Sequence, residues 1–166
     1  MPTSGLYIET STLNCSVGIS IGNKIVSLRE QSDSGYIHAE KLHVFISEVL
    51  SEAKLKGSDL DFIAVGIGPG SYTGLRIGVS AAKGLAYSLS KPIIGIKSLE
   101  NLTQVAIQNN NFETGSILMP MLDARRMEVY TQSFDHYGNE KTEISAFILD
   151  DESIQEFKDA KHILFG

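Results

Sequence analysis

Between residues 66 and 78 the chain reads Gly66-Ile67-Gly68-Pro69-Gly70-Ser71-Tyr72-Thr73-Gly74-Leu75-Arg76-Ile77-Gly78, with five glycines and one proline in thirteen positions. Glycine reaches backbone angles closed to other residues and lets a second group come within contact distance of the chain, while proline fixes one angle and removes a donor. Such a segment is a turn that something approaches closely. The short apolar run Leu60-Asp61-Phe62-Ile63-Ala64-Val65 leads into it, and Thr73 to Leu89 after it is helical in character, stopping before Lys91-Pro92.

The elements on either side suggest the frame that holds this turn. Leu6–Glu9 and Ser16–Ile21 read as strands joined by a Ser/Thr/Asn-rich turn, and a Gly22-Asn23 loop leads into a third strand, Ile25–Leu28. Ile37, Leu42, Phe45, Ile46, Val49, Leu50 and Ala53 mostly recur at spacings of three and four, which places one apolar stripe on a helix ending near Gly57. Ile93–Ile96 is another short strand, and Ser98 caps a helix whose Leu99, Leu102, Val105 and Ala106 share a side. A three-stranded meander followed by strand-helix crossovers is the topology of half of an actin-like ATPase, and it also occurs in the ribonuclease H-like fold. The expected class is therefore α/β, with a mixed five-stranded sheet and helices on both faces, over residues 1–97. From residue 98 the chain is expected to begin a second actin-like lobe, cut short at Gly166. Its strands are read at Ile117–Leu122, Glu128–Phe134, Thr142–Leu149 and Ile163–Phe165, with a short helix at Ser153–Phe157.

A chain of 166 residues suits one domain of about 150 residues or two small lobes, and it buries enough surface to need no disulfide or metal. The single cysteine, Cys15, cannot form an internal bridge, and Met1-Pro2-Thr3-Ser4 carries no basic, then apolar, leader; a cytoplasmic protein is expected. No apolar stretch approaches the ~18 residues of a membrane span. Fourteen basic against twenty acidic residues give a net charge of −6, with the basic residues scattered, which argues against a phosphate-backbone footprint of the chain's own. A role near RNA would need a partner to supply the basic surface.

A glycine turn between strand and helix invites a phosphate reading, since helix N-termini present free donors and a positive dipole end. Gly68, Gly70 and Ser71 are the candidate phosphate loop. Neither the G-x-x-x-x-G-K-[ST] nor the G-x-G-x-x-G pattern can be laid on the segment, however. Farther along, Gly74, Gly78, Ala82 and Ala86 stand four apart and form a ridge of small residues. Two glycines inside a helix cost about 1 kcal/mol each relative to alanine, and close packing is the usual compensation. The ridge lies against the protein's own sheet, or else a helix of another subunit crosses it while Leu75, Val79 and Leu85 cover the sheet. Both readings stand at this point.

Other chemistry is sparse. Ser71 lacks the G-x-S-x-G elbow, and Cys15 has no histidine near it in sequence. His38, His43, His136 and His162 show no zincin spacing, and His38 and His43 read as exposed helix residues. Asp123-Ala124-Arg125-Arg126-Met127-Glu128 reads as a solvated hairpin turn with an aspartate cap.

Taken together, L-Y-I-E-T-S-T-L-N-C-S-V-G, I-H-A-E-K-L, G-P-G-S-Y-T-G-L-R-I-G-V-S-A-A-K-G-L-A, K-P-I-I-G-I-K-S-L and L-D-A-R-R-M-E-V-Y resemble the bacterial tRNA threonylcarbamoyladenosine biosynthesis proteins TsaB, also called YeaZ. The resemblance covers essentially the whole chain. It implies a noncatalytic scaffold that forms homodimers and pairs with the related catalytic subunit TsaD. With the ATPase TsaE, that complex transfers a threonylcarbamoyl group to the adenosine after the anticodon, in tRNAs reading codons that start with A. It further implies an interface on the helices after the meander and after the glycine turn, here His38, Leu42, Gly74, Arg76, Gly78 and Ala82. No cofactor is required under this reading, and ATP or ADP at the glycine loop is optional. TsaD-like relatives carry H-H-M-E-G-H where this chain has Lys97-Ser98-Leu99-Glu100-Asn101-Leu102, so Ser98 and Leu102 occupy the ligand positions and no metal site is expected. Three features depart from the patterns. Glu9 stands where actin-like ATPases commonly have aspartate, which weakens a hydrolytic reading. The first helix has His38-Ala39-Glu40-Lys41-Leu42-His43-Val44 in place of H-S-E-x-L-L-P. Family members also normally continue beyond residue 166. The rival class is an actin-like ATP-binding enzyme; an older peptidase label in this superfamily finds no nucleophile, base or metal constellation here.

Overall fold

The computed structural model describes residues 2–32, 37–155 and 161–166. The chain falls into two compact units, Met1–Ile96 and Lys97–Gly166.

The first unit opens with β1 (Ser4–Glu9), β2 (Asn14–Ile21) and β3 (Lys24–Ser32), paired antiparallel. The Gly22-Asn23 loop joins the last two, with Gly22 at φ +60°. Helix α1 (His38–Glu52) leads through a one-turn 3-10 helix to β4 (Phe62–Gly68), which runs parallel to β1. Helix α2 (Tyr72–Leu89) then leads to β5 (Ile93–Lys97). The sheet order β3-β2-β1-β4-β5 makes β1 the strand at which the meander and the crossover meet. Side chains alternate across a strand, so Leu6 and Ile8 of β1, Val17 and Ile19 of β2, and Ile63 and Val65 of β4 line one face. Leu42, Phe45, Ile46 and Val49 of α1 and Ala82 and Ala86 of α2 close over the same face, forming the core. The third helix of the expected pattern belongs to the second unit.

β3 and β4 both run past the ends read from the sequence. β3 continues past Leu28 because Arg29, which breaks the apolar run, is held by α1: Nε reaches Glu48 at 3.1 Å and Nη1 reaches Glu52 at 2.8 Å. The Ser27 hydroxyl donates to Glu52 at 2.6 Å, and with Arg29 it holds that carboxyl below its usual range. β4 extends through Gly66 and Gly68, so the first glycines of the run are strand and not turn.

The second unit comprises α3 (Ser98–Asn109), β6 (Ile117–Arg125), β7 (Glu128–Thr131), β8 (Phe134–Asp135), β9 (Ser145–Ile148), α4 (Asp151–Gln155) and β10 (His162–Phe165). Its sheet runs β10-β6-β7-β9, with β8 also on β6, around Leu99, Leu118 and Phe134. The single strand read over Glu128–Phe134 is two. Met121 pairs with Thr131 and Leu118 with Phe134 in one register, and Pro120, lying between, has no N–H to continue the ladder. Thr142, read as strand, instead braces this break: its carbonyl accepts from Gln132 Nε2 at 2.8 Å and its hydroxyl accepts the Ser133 N–H at 3.0 Å. Lys97, the last residue of β5, is the N-cap position of α3 and Ser98 its first residue, without a side-chain cap. The helix read over Ser153–Phe157 is found at Asp151–Gln155, and Phe157 lies outside the described residues.

The turn after β8 is organised by Asp135, whose carboxylate accepts from the Asn139 side chain and from the amides of Asn139 and Tyr137, each at 2.9 Å. These bonds pull its pKa to about 2. Because the folded value lies below the unfolded ~3.9, the stabilisation is present above pH ~4 and is lost as pH falls through 2. An NMR titration should place the Asp135 midpoint near 2, and Asn139→Ala should move it toward 3.9.

The β6–β7 turn carries three successive left-handed residues, Arg125, Arg126 and Met127 (φ 67°, 55° and 66°), none of them glycine or asparagine. The Asp123 carboxylate caps the Arg125 amide at 2.7 Å, as read from the sequence. Two central residues at positive φ favour Asn-Gly. Replacing Arg126-Met127 by Asn-Gly should therefore raise stability by about 1 kcal/mol, measured by urea unfolding.

Candidate functional site

The group that approaches the glycine segment is the chain's own β1–β2 turn. A Cβ on Gly70 would collide with the Ser11 carbonyl, one on Gly74 with the Thr10 carbonyl, and one on Gly78 with the Thr10 hydroxyl. Thr10 is fully buried, and its Oγ1 donates to the Gly74 carbonyl at 2.9 Å. The Ser11 carbonyl accepts the Ser71 N–H at 2.6 Å. Glycines four apart along α2 thus form a trough one residue wide, in which the turn after β1 lies.

His38 closes the trough from the other side. It is fully buried, not exposed as its sequence context suggested, because it starts α1 directly over the turn. Its Nε2 lies 2.8 Å from the Thr12 carbonyl, and its ring edge packs against Gly74. His43 is exposed. Leu42 and Ala82 are fully buried in the core, and Gly74 and Gly78 are buried beneath the turn. Of the six residues expected at an interface, five are therefore covered by their own chain, and only Arg76 faces outward. The small-residue ridge is the inner seam of α2; Leu75 and Val79, which the alternative assigned to the sheet, are half-buried beside it.

The same contacts occupy part of the turn expected as a phosphate loop. Gly68 sits at the end of β4 with φ +96°, and Ser71 is the N-cap of α2, its hydroxyl accepting the Gly74 N–H at 3.2 Å. At this turn the Ser71 and Gly74 amides are thus used internally, and Ser11 fills the space over Gly70. A carboxylate also stands beside the loop: Glu9 lies across Gly66, where no Cβ would fit, and accepts the Ser11 N–H at 2.6 Å. A phosphate approaching here would meet the Glu9 carboxyl and find the Ser71 and Gly74 amides already engaged. Cys15 is buried in the core, and burial raises its pKa, so its thiol is no nucleophile. Ser98 is buried and Leu102 half-buried, and among the described residues no group of three His, Cys, Asp or Glu could hold a metal ion.

The opposite side of α2 is open. Tyr72, Thr73, Arg76, Ser80, Lys83 and Tyr87 recur at spacings of three and four on an exposed stripe, with Tyr72 74% and Tyr87 90% exposed. Arg76 stacks over the Tyr72 ring at 5.4 Å, and a shallow depression of about 330 Å³ is lined by Thr73, Arg76, Ile77 and Ser80. Polar identity hid this stripe in the sequence; the signal that could have found it was two tyrosines at the ends of a helical face.

The family model described as "TsaD: tRNA N6-adenosine threonylcarbamoyltransferase" matches residues 33–157. The chain belongs to this TsaD family. Within the family its likeness includes TsaB of Haemophilus influenzae, 33% identical over 125 residues, which cover 75% of this chain and 51% of that protein. The solved structure "YeaZ from Pseudomonas aeruginosa" superposes with a TM-score of 0.76 at 28% identity, covering 88% of this chain and 67% of that one. A tRNA N6-adenosine threonylcarbamoyltransferase of Thermosipho melanesiensis is 34% identical over 173 residues, 96% of this chain and 52% of the enzyme. The chain spans about half the length of the curated relatives it matches. The mixed α/β fold expected from the sequence is the one found, and the TsaB/YeaZ likeness holds. No helix among the described residues is long and apolar enough to cross a membrane.

The turn-in-trough packing makes a thermodynamic prediction. Gly78→Ala should cost about 1–3 kcal/mol, the range for overpacking a filled core. Because the obstacle is the Thr10 side chain, the same substitution in a Thr10→Ala background should cost less. Chemical unfolding of the four proteins gives the coupling, and strict additivity would refute the contact.

Proposed function

We propose that this TsaD-family chain is a noncatalytic docking subunit in the formation of N6-threonylcarbamoyladenosine in tRNA, like the TsaB proteins it resembles. Its partners are a TsaD-type catalytic subunit and, in the assembled complex, a TsaE-type ATPase, with tRNA reached through the complex in the cytoplasm and a homodimer formed when the chain is alone. The observation that carries this reading is the division of α2 into two faces. The inner face spends the glycine loop on the chain's own Thr10–Ser11 turn, leaving it poorly equipped for phosphate. The outer face presents Tyr72, Arg76, Ser80 and Tyr87, all exposed. Exposed tyrosines and an arginine around small residues are the composition of a helix-docking surface.

Gly78 is buried beneath the Thr10 turn and its enlargement would disturb the fold, so the face is tested at Ser80, which is exposed. The chain should co-purify with the TsaD-type protein of its organism, and Ser80→Trp should weaken that association at least tenfold without lowering the melting temperature. A strain lacking the gene should lose threonylcarbamoyladenosine from its tRNA digests by mass spectrometry, and Ser80→Trp should fail to restore it. Binding unaffected by Ser80→Trp would rule out this face. Robust metal-dependent ATP turnover by the isolated chain would overturn the noncatalytic role.

A further inference from the structure

We propose that β9 is a docking edge for an extended segment of another protein, one with apolar residues at alternate positions and a basic residue at each end. The site lies in the second unit and is separate from the α2 face. In the sheet order β10-β6-β7-β9, β7 pairs with one side of β9, and no strand among the described residues pairs with the other. The Leu149 N–H donates to the Met127 carbonyl at 3.0 Å, so the backbone of Leu149 faces the β7 side. Backbone groups alternate in direction along an antiparallel strand. Phe147 and Ser145 therefore face β7 as well, and the N–H and C=O groups of Ala146 and Ile148 point to the open side.

The same alternation puts the Ala146 and Ile148 side chains on one face, beside Tyr130 and Glu128 of β7. Ile148 is 56% exposed, Ile144 just before the strand is 40% exposed, and Ala146 is exposed as well. An added strand thus finds open donors, open acceptors and apolar side chains at the same alternate residues. In strand addition the backbone bonds supply affinity and the alternate side chains supply selectivity. Natural sheet edges are commonly blunted by charge, proline or a bulge. β3, an edge of the first unit's sheet, pairs with β2 through a register shift between Ile19 and Ser20 and carries Lys24, Arg29 and Glu30. β9 has none of these devices: from Ile144 to Leu149 the chain has no charged residue, proline or glycine.

Charge identifies the occupant. Glu143 to Glu152 contains four carboxylates and no lysine or arginine, and the acids flank the apolar run at both ends. Glu143, Asp150 and Glu152 are exposed. Lys97, a cation within electrostatic reach of Glu143, is bound to Glu140. Arg125 and Arg126 belong to the β6–β7 turn, on the opposite side of β9 from its open edge. A strand with lysine or arginine at its ends meets Glu143 at one end and Asp150 at the other. A second copy of β9 fits badly, because antiparallel pairing would bring Glu143 of each copy close to Asp150 of the other. The homodimer proposed above therefore forms at another surface.

The test uses the full chain, with the synthetic peptide K-T-V-T-V-T-V-K as the probe. In hydrogen exchange read by NMR, saturating peptide should slow the Ala146 and Ile148 amides at least tenfold and leave Ser145 and Phe147, which already face β7, unchanged. The same peptide with glutamate at both ends should bind at least tenfold more weakly in 50 mM salt, and the difference should shrink at 500 mM. Ala146→Pro removes a donor from the open side and leaves the β7 ladder intact, so it should abolish binding with an unchanged circular dichroism spectrum. Ile148→Lys, at an exposed position, should also weaken binding at least tenfold and serves if the proline variant does not fold. Unchanged exchange at Ala146 and Ile148 overturns the proposal, and so does equal binding of the two peptides. A sedimentation mass that doubles for the wild type and returns to one chain for Ala146→Pro overturns it as well, because the edge then belongs to a second copy.

Discussion

The first unit depends on one contact, the insertion of Thr10 and Ser11 into the trough formed by Gly70, Gly74 and Gly78. It joins the end of β1 to the start of α2, and through His38 it also fixes the start of α1. Three elements far apart in sequence are thereby tied at a single turn. Three polar groups brought there by burial are paired: the Thr10 hydroxyl goes to Gly74, the Ser11 amide to Glu9 and the Ser11 carbonyl to Ser71. A buried turn is otherwise expensive, because unpaired backbone groups forfeit their hydration. The glycines are required because hydrogen bonds of this length demand that two backbones touch.

Much of the frame was legible in the sequence, and what was not has identifiable causes. The meander, both crossovers and the Gly22-Asn23 hairpin follow from apolar alternation, the 3.6-residue stripe and turn chemistry, all local signals. The end of β3 was hidden because Arg29 is stabilised by Glu48 and Glu52, which lie on another element. The break between β7 and β8 was set by Pro120, whose missing N–H matters only once its partner strand is known. His38 was misjudged for the same reason: helical spacing tells which residues share a face, but not that a turn from β1 lies under the first residue of α1.

The site was legible in a different sense. The demand for close approach could be read from Gly66–Gly78 directly; the identity of the approaching group could not. A phosphate, a partner helix and the chain's own turn all require glycine for the same steric reason, so composition does not choose between them. In the structure the chain's own turn lies there. The Ser71 and Gly74 amides, which would serve an anion at a helix N-terminus, are spent inside the chain, and Glu9 holds a negative charge beside Gly66.

This allocation also bears on the other side of α2. The donors consumed at the turn tie the start of the helix to the chain's own β1–β2 turn, while the outer face stays exposed. A stripe of tyrosine, arginine and lysine on a helix seated by contacts at Gly70, Gly74 and Gly78 would lose little backbone freedom on docking, so more of its contact energy would remain available for binding. The glycine segment thus fixes the position of the opposite side of its own helix.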